Sequence, residues 1–154
     1  IINKIGKKNG YYLASISWGL GALSWMLVTP GESEMGIIIR GVFLGIGAGG
    51  LLLVGQSMLP DTMEYDFQTS GYRREGILAG VYTTVEKLSF AIGPSILGIL
   101  LGYVDYDALS NSQSESVINM MYFNAGGFPV ICLFISCLLI TAYNVDQQSL
   151  GKNN

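Results

Sequence analysis

Two ionisable residues stand side by side in an otherwise apolar stretch: Glu86 and Lys87, inside a run from Gly76 to about Val104 that holds no other charge. On a helix they lie about 15 Å beyond Gly76, near the middle of a hydrocarbon layer about 30 Å thick. Charge at that depth is costly and marks ion or solute paths more often than plain packing. An ion pair that only locks helices together is the simpler alternative. At helical spacing Lys87 shares a face with Gly80, Thr83, Thr84, Ala91, Pro94 and Gly98, all small or polar, so it is expected to look into a bundle interior or cavity. Glu86 lies about 100° further round with Tyr82, Ser89 and Gly93, flanking the same space. Each needs a partner elsewhere.

A second constellation is Asp61, Glu64, Asp66, Arg73, Arg74 and Glu75, six of the nineteen charged residues in the chain. Its acids lack the ordered spacing and Gly of a calcium loop, so an ion-pair network in a solvated turn is expected and a metal site is not. The chain has no His, which removes the usual zinc sites, His-based triads and the commonest general base near neutral pH. An intramembrane enzyme would need paired reactive groups facing one another, and only Glu86 and Lys87 are available. No enzyme is expected, and no cofactor.

The elements that must position these groups follow from composition. Of 154 residues 50% are hydrophobic and only 12% charged, with mean hydropathy +0.45, where a soluble domain carries roughly 25% charged residues. The lipid bilayer is the implied surroundings. A net charge of −3 with no basic tract speaks against nucleic acid. Four helical spans are expected, about 11–28, 36–59, 76–104 and 116–143, with a cytoplasmic loop at 60–75. Lys4, Lys7 and Lys8 precede the first, Arg73 and Arg74 join the second to the third, and Lys152 follows the fourth, while the other two loops hold only acids. By the positive-inside rule both ends, the C-terminus included, are cytoplasmic.

Within the second span, Gly41, Gly45 and Gly49 make two small-xxx-small steps suited to close helix approach. Gly45, Gly47 and Gly50 also match a dinucleotide fingerprint, but one buried in an apolar run of membrane length rather than between a strand and a helix. In the fourth span Asn119 and Asn124, followed by Gly126, Gly127 and Pro129, imply a kink. Cys132 and Cys137, five apart on a helix, point in different directions. The first ten residues lack a signal-peptide pattern, and a start at Ile1 suggests a piece of something longer.

The run from Leu59 through Asp61, Glu64, Tyr65, Gly71, Arg73 and Glu75 to Gly76, continued by Tyr82-Thr-Thr-Val-Glu-Lys-Leu-Ser89 and Ala91-Ile-Gly-Pro94, resembles the glycoside-pentoside-hexuronide:cation symporters of the major facilitator superfamily. The shared pattern is D-x-x-D/E-Y, then G-x-R-x-E, then a Lys one helical stretch later. The resemblance implies an all-α, polytopic transmembrane bundle, of which this chain is the last four helices, nine to twelve of twelve. It implies symport of a sugar or related small-molecule solute across a plasma (inner) membrane, driven by sodium or protons. It places Lys87, with Glu86, Tyr82 and Thr83, at the solute and cation cavity. Asp61, Glu64, Tyr65, Arg73, Arg74 and Glu75 would form a cytoplasmic gate. The carboxylates holding the coupling cation would lie in an N-terminal half beyond this sequence. Two rivals remain at this point: a sodium-dependent lysolipid symporter, whose branch shares the loop pattern, and a small four-helix membrane scaffold or subunit without transport activity.

Overall fold

The computed structural model describes residues 5–29, 31–110 and 112–143, and every regular element among them is helical. Helix α1 (Lys7–Ser24) ends in a 3-10 turn at Trp25–Leu27. Helix α2 is Glu34–Ser70 and helix α3 is Glu75–Tyr103. The last run comprises α4 (Glu115–Tyr122), a π-turn (Phe123–Gly127), α5 (Phe128–Leu139) and a closing 3-10 turn.

Local chemistry sets these limits. Ser33 and Ser114 cap α2 and α4, their hydroxyls accepting from the backbone N–H of Gly36 and Val117, and an acid follows each. Gly71, at φ 72°, closes α2 in the left-handed conformation that a Cβ would resist, and its N–H donates to the Phe67 carbonyl at 2.8 Å.

Three helical runs are long and apolar enough to cross a membrane: Glu34–Ser70, Glu75–Tyr103 and Glu115–Ala142. The first expected span behaves differently. It begins at Lys7 rather than residue 11, is rich in Gly, Ser and Tyr, and buries Ser15, Gly19, Gly21 and Ala22. The face that its neighbours enclose needs small residues more than apolar ones, which keeps its hydropathy modest, while Leu13, Ile16 and Leu20 remain exposed on the other side.

The expected loop at 60–75 is helical as far as Ser70, so the connection to α3 is only residues 71–74. Pro60 sits inside α2. It removes the backbone donor to the Gln56 carbonyl, yet the helix continues past it; on the adjoining turn Thr62 donates to the Met58 carbonyl at 3.0 Å and Lys7 to the Ser57 carbonyl at 2.6 Å. With 37 residues, α2 is about 55 Å long, well beyond a hydrocarbon layer of about 30 Å.

Helices α1 and α2 pack antiparallel along one seam of α2: Arg40, Leu44, Gly47, Leu51, Val54, Met58 and Asp61, alternating steps of four and three. Val54 and Met58 are buried, Leu44 packs on Gly21, and Gly50 meets Ala14. At Gly47 the Trp18 backbone itself comes so close that no Cβ fits. The closeness expected of Gly41, Gly45 and Gly49 is therefore found at Gly47 and Gly50 instead. A Cβ at any of the first three would meet nothing within 4 Å. Their helix face turns away from α1. The dinucleotide fingerprint also falls, since Gly45, Gly47 and Gly50 lie in unbroken helix.

Both ends of the seam are pinned. Arg40 donates to the Ser24 carbonyl (2.6 Å) and to Glu32 (2.7 Å), closing the last turn of α1. At the other end Lys7 pairs with Asp61 at 2.6 Å. The last run is held to α1 by the Tyr11–Ser136 hydroxyl pair and by Lys8 donating to the Thr141 carbonyl at 2.8 Å. Gly126 admits the Ala22 carbonyl where a Cβ would lie 2.7 Å from it.

Candidate functional site

Two groups of residues carry the chemistry, one at the α2–α3 turn and one midway along α3. The turn group is built on the end of α2 that projects beyond Pro60. Arg74 grips Asp66 with two donors, Nε at 3.1 Å and a terminal nitrogen at 2.6 Å. Arg73 pairs with Glu75 at 2.8 Å and lies over the Phe67 ring, 4.6 Å from its centre. Glu64 accepts from Gln68 at 3.0 Å, and Tyr65 is exposed one helical step on. Asp61 faces away from this group, toward Lys7.

These pairs differ in weight. Arg73 and Glu75 are 66% and 53% exposed, so solvent screens them and they contribute close to nothing. Lys7 and Asp61 are 18% and 14% exposed, and Lys7 also donates to the Ser57 carbonyl at 2.6 Å. Removing either partner strands a charge in a partly dry place. Lys7 reads in the sequence only as an orientation charge. The signal that could have paired it with Asp61 is their position at the start of one helix and the end of its antiparallel neighbour, hence at one depth.

The second group sits on α3, the least enclosed helix, with no buried residue. Its half-buried positions include Leu78, Ala79, Tyr82, Glu86, Ile96, Leu97, Leu100 and Leu101, one stripe at helical spacing. Tyr82 approaches α2: a Cβ on Gly55 would stand 3.9 Å from its hydroxyl. Glu86 follows it one turn later on that stripe. Thr83, Thr84 and Lys87 are exposed, and both threonines turn their hydroxyls back to backbone carbonyls at 2.8 Å.

Lys87 is thus directed away from the other helices of this chain. The reason is the packing of Tyr82 and Leu97, which sets the rotation of α3. Neither Glu86 nor Lys87 makes an ion pair or hydrogen bond among the described residues. No three His, Cys, Asp or Glu side chains converge as metal ligands among the described residues. Lys4 and Lys152, and with them part of the loop-charge argument for orientation, lie outside the described residues.

Between α3 and the other helices runs a crevice of about 590 Å³. Gly93, Pro94 and Leu97 form one wall, and Trp18, Leu51, Asn124 and Pro129 are among the residues opposite.

The family model described as MFS/sugar transport protein matches residues 1–147. An isoprimeverose transporter of Lactiplantibacillus pentosus is 26% identical over 94% of this chain and 30% of its own length. A glucuronide carrier protein homolog of Escherichia coli is 28% identical over 99% of this chain and 33% of its own. An uncharacterized symporter of Synechocystis is 33% identical over 63% of this chain and 18% of its own. This chain thus spans at most about a third of the length of these relatives. No solved structure matches. The matched family and its named symporters agree with the loop and lysine motif: the chain belongs to the MFS/sugar transport protein family, the glycoside-pentoside-hexuronide symporters of the major facilitator superfamily.

Proposed function

We propose that this chain is the last four-helix portion, helices nine to twelve, of a cation-coupled symporter that moves a sugar or glycoside by alternating access. The observation that carries the reading is the face of α3 bearing Lys87, Thr83 and Thr84. It is exposed, polar or small, midway along a helix of membrane length, and its lysine has no partner among the described residues. An unpaired ammonium in a bilayer is costly. The same group facing a watery cavity is solvated, and donates to sugar hydroxyls or to a carboxylate of the other half. Glu86 and Tyr82, one step round the helix, border that cavity.

At the α2–α3 turn, the Arg74–Asp66 pair, with Arg73, Glu75, Glu64 and Tyr65 around it and Asp61 behind them in its fixed pair with Lys7, acts as a cytoplasmic gate. Charge pairs suit that task because each is modest in energy and re-forms readily when helices part and return. The coupling cation, sodium or proton, binds outside this chain, and the C-terminus lies on the cytoplasmic side.

The test is uptake by the intact transporter in vesicles, with isoprimeverose and a glucuronide as first solutes because relatives are named for them. Each is measured with imposed sodium or proton gradients, for the native protein and for Lys87→Ala at equal surface expression. Loss of gradient-driven uptake in the variant is expected. Native rates with native cation dependence would remove Lys87 from the path, and uptake of lysolipid but no sugar would favour the lysolipid branch.

A further inference from the structure

The last helical run is one rod by length, but its two parts have different neighbours. Helix α5 packs chiefly on α1, to which Tyr11–Ser136 and Lys8–Thr141 tie this end of the run. Helix α4 packs chiefly on α3 and on the π-turn. The junction between the parts is the weakest backbone in the run. Phe123–Gly127 is underwound into a π-turn, and Pro129 lacks the N–H that the Asn124 or Ala125 carbonyl would otherwise accept. Two adjacent glycines, Gly126 and Gly127, add backbone freedom at the same place.

Helix α3 has a matching weak point. Pro94 lies inside it and takes the donor from the Phe90 carbonyl. Pro94, Asn124 and Pro129 all line the one crevice. Thus α3 and the last run are both interrupted at the level of a cavity, and α4, beyond that interruption, rests on α3. Open volume beside two interrupted helices gives them somewhere to bend.

We propose that α3 beyond Pro94, together with α4, is a cap hinged at Pro94 and at residues 123–129, which swings over the crevice while α1, α2 and α5 stay fixed to one another. The tight α1–α2 seam and the ties between α1 and the last run hold the fixed body. Arg74 ties the start of α3 to Asp66 of α2, but no such tie joins α3 beyond Pro94 to α1 or α2 among the hydrogen bonds and ion pairs of the described residues. The cap is a mechanical property of the fold and does not depend on which solute is carried.

The experiment is pulsed EPR on the intact transporter in lipid nanodiscs, without solute, after Cys132 and Cys137 are replaced by Ser. One spin-labelled pair joins Leu139→Cys to Leu27→Cys, both within the fixed body. The other joins Leu139→Cys to Tyr103→Cys, across the hinge. All three labelled positions are exposed. The cross-hinge distance distribution is expected to be at least about twice as wide as the reference, as motion between bodies requires. It should narrow to the reference width in the Pro94→Ala/Pro129→Ala variant, where both missing donors are restored. Equal widths in the native background, or an unchanged width in the variant, overturns the hinge. Since no transport is measured, failure of sugar uptake leaves this result standing, and failure of the hinge leaves the uptake result standing.

Discussion

The contact between Ala14 and Gly50 allows the seam between α1 and α2 to be tested by compensation. In Gly50→Ala the new methyl would lie 2.8 Å from the Ala14 Cβ, about 1 Å inside the usual carbon–carbon separation. The two helices must part or bend to admit it. Overpacking of that kind costs about 1–3 kcal/mol, and the gain from replacing a helical glycine returns up to about 1 kcal/mol. A net loss of about 1–2 kcal/mol is expected. Ala14→Gly alone should cost about 1 kcal/mol through helix propensity. Combined with Gly50→Ala it removes the clash, so the double variant should return to within about 1 kcal/mol of native, a coupling well above the error of such cycles. The assay is reversible unfolding of the intact transporter in mixed micelles, titrated with SDS and followed by tryptophan fluorescence. Additive losses, with the double variant weaker than either single one, would refute the packing assigned to this face of α2.

Three further outcomes can be read in the same assay. Asp61→Asn strands the half-buried Lys7 and should cost about 2 kcal/mol; the swap Lys7→Asp with Asp61→Lys should recover part of it, and a loss in the swap equal to that of Asp61→Asn would rule out a direct pair. Arg40→Ala leaves the Glu32 carboxylate and the Ser24 carbonyl without their donor, for an expected loss of about 2 kcal/mol; adding Glu32→Ala should relieve some of that, and no relief would mean that the pair with Glu32 carries no weight. Gly71→Ala forces a Cβ into the left-handed turn and should cost about 1 kcal/mol, whereas Gly76→Ala, which meets nothing within 4 Å, should be neutral or stabilising; the reverse order would contradict the cap assigned to α2.

The parts of this structure legible in the sequence are those written as long apolar windows with few or no charges. Three of them became helices long and apolar enough to cross a membrane. The first helix was legible as an element but not as an enclosed one, because its glycines and serines read equally as a poor span. Residues 60–70 looked like a loop because charge and Pro60 coincide there. Once a helix leaves the hydrocarbon, however, charge no longer opposes it, and a single proline costs a hydrogen bond without ending the helix here. The glycines of α2 occupy several faces, so spacing alone could not choose 47 and 50 over 41, 45 and 49. Rotation of α3 was illegible for a related reason. Periodicity separates a small and polar face at Gly80, Thr83, Thr84 and Lys87 from an apolar one but does not say which of them meets this chain's own helices, and Tyr82 packing toward Gly55 decides it. Gly126, Gly127 and Pro129 announced an interruption, but only the backbone reveals a π-turn.

The α1–α2 seam also fixes how the chain can vary in length. Contacts from Arg40 to Asp61 advance by alternate steps of four and three, and each end is fastened to an opposite end of α1 by a charged side chain. One residue inserted or deleted between them rotates everything beyond by about 100°, so one fastening must be lost whichever way the helix settles. The same change at 105–110, where no such register is kept, alters only a turn. Length is therefore a constrained quantity between residues 40 and 61, and homologous sequences should align there without gaps while differing freely in which apolar side chains fill the seam.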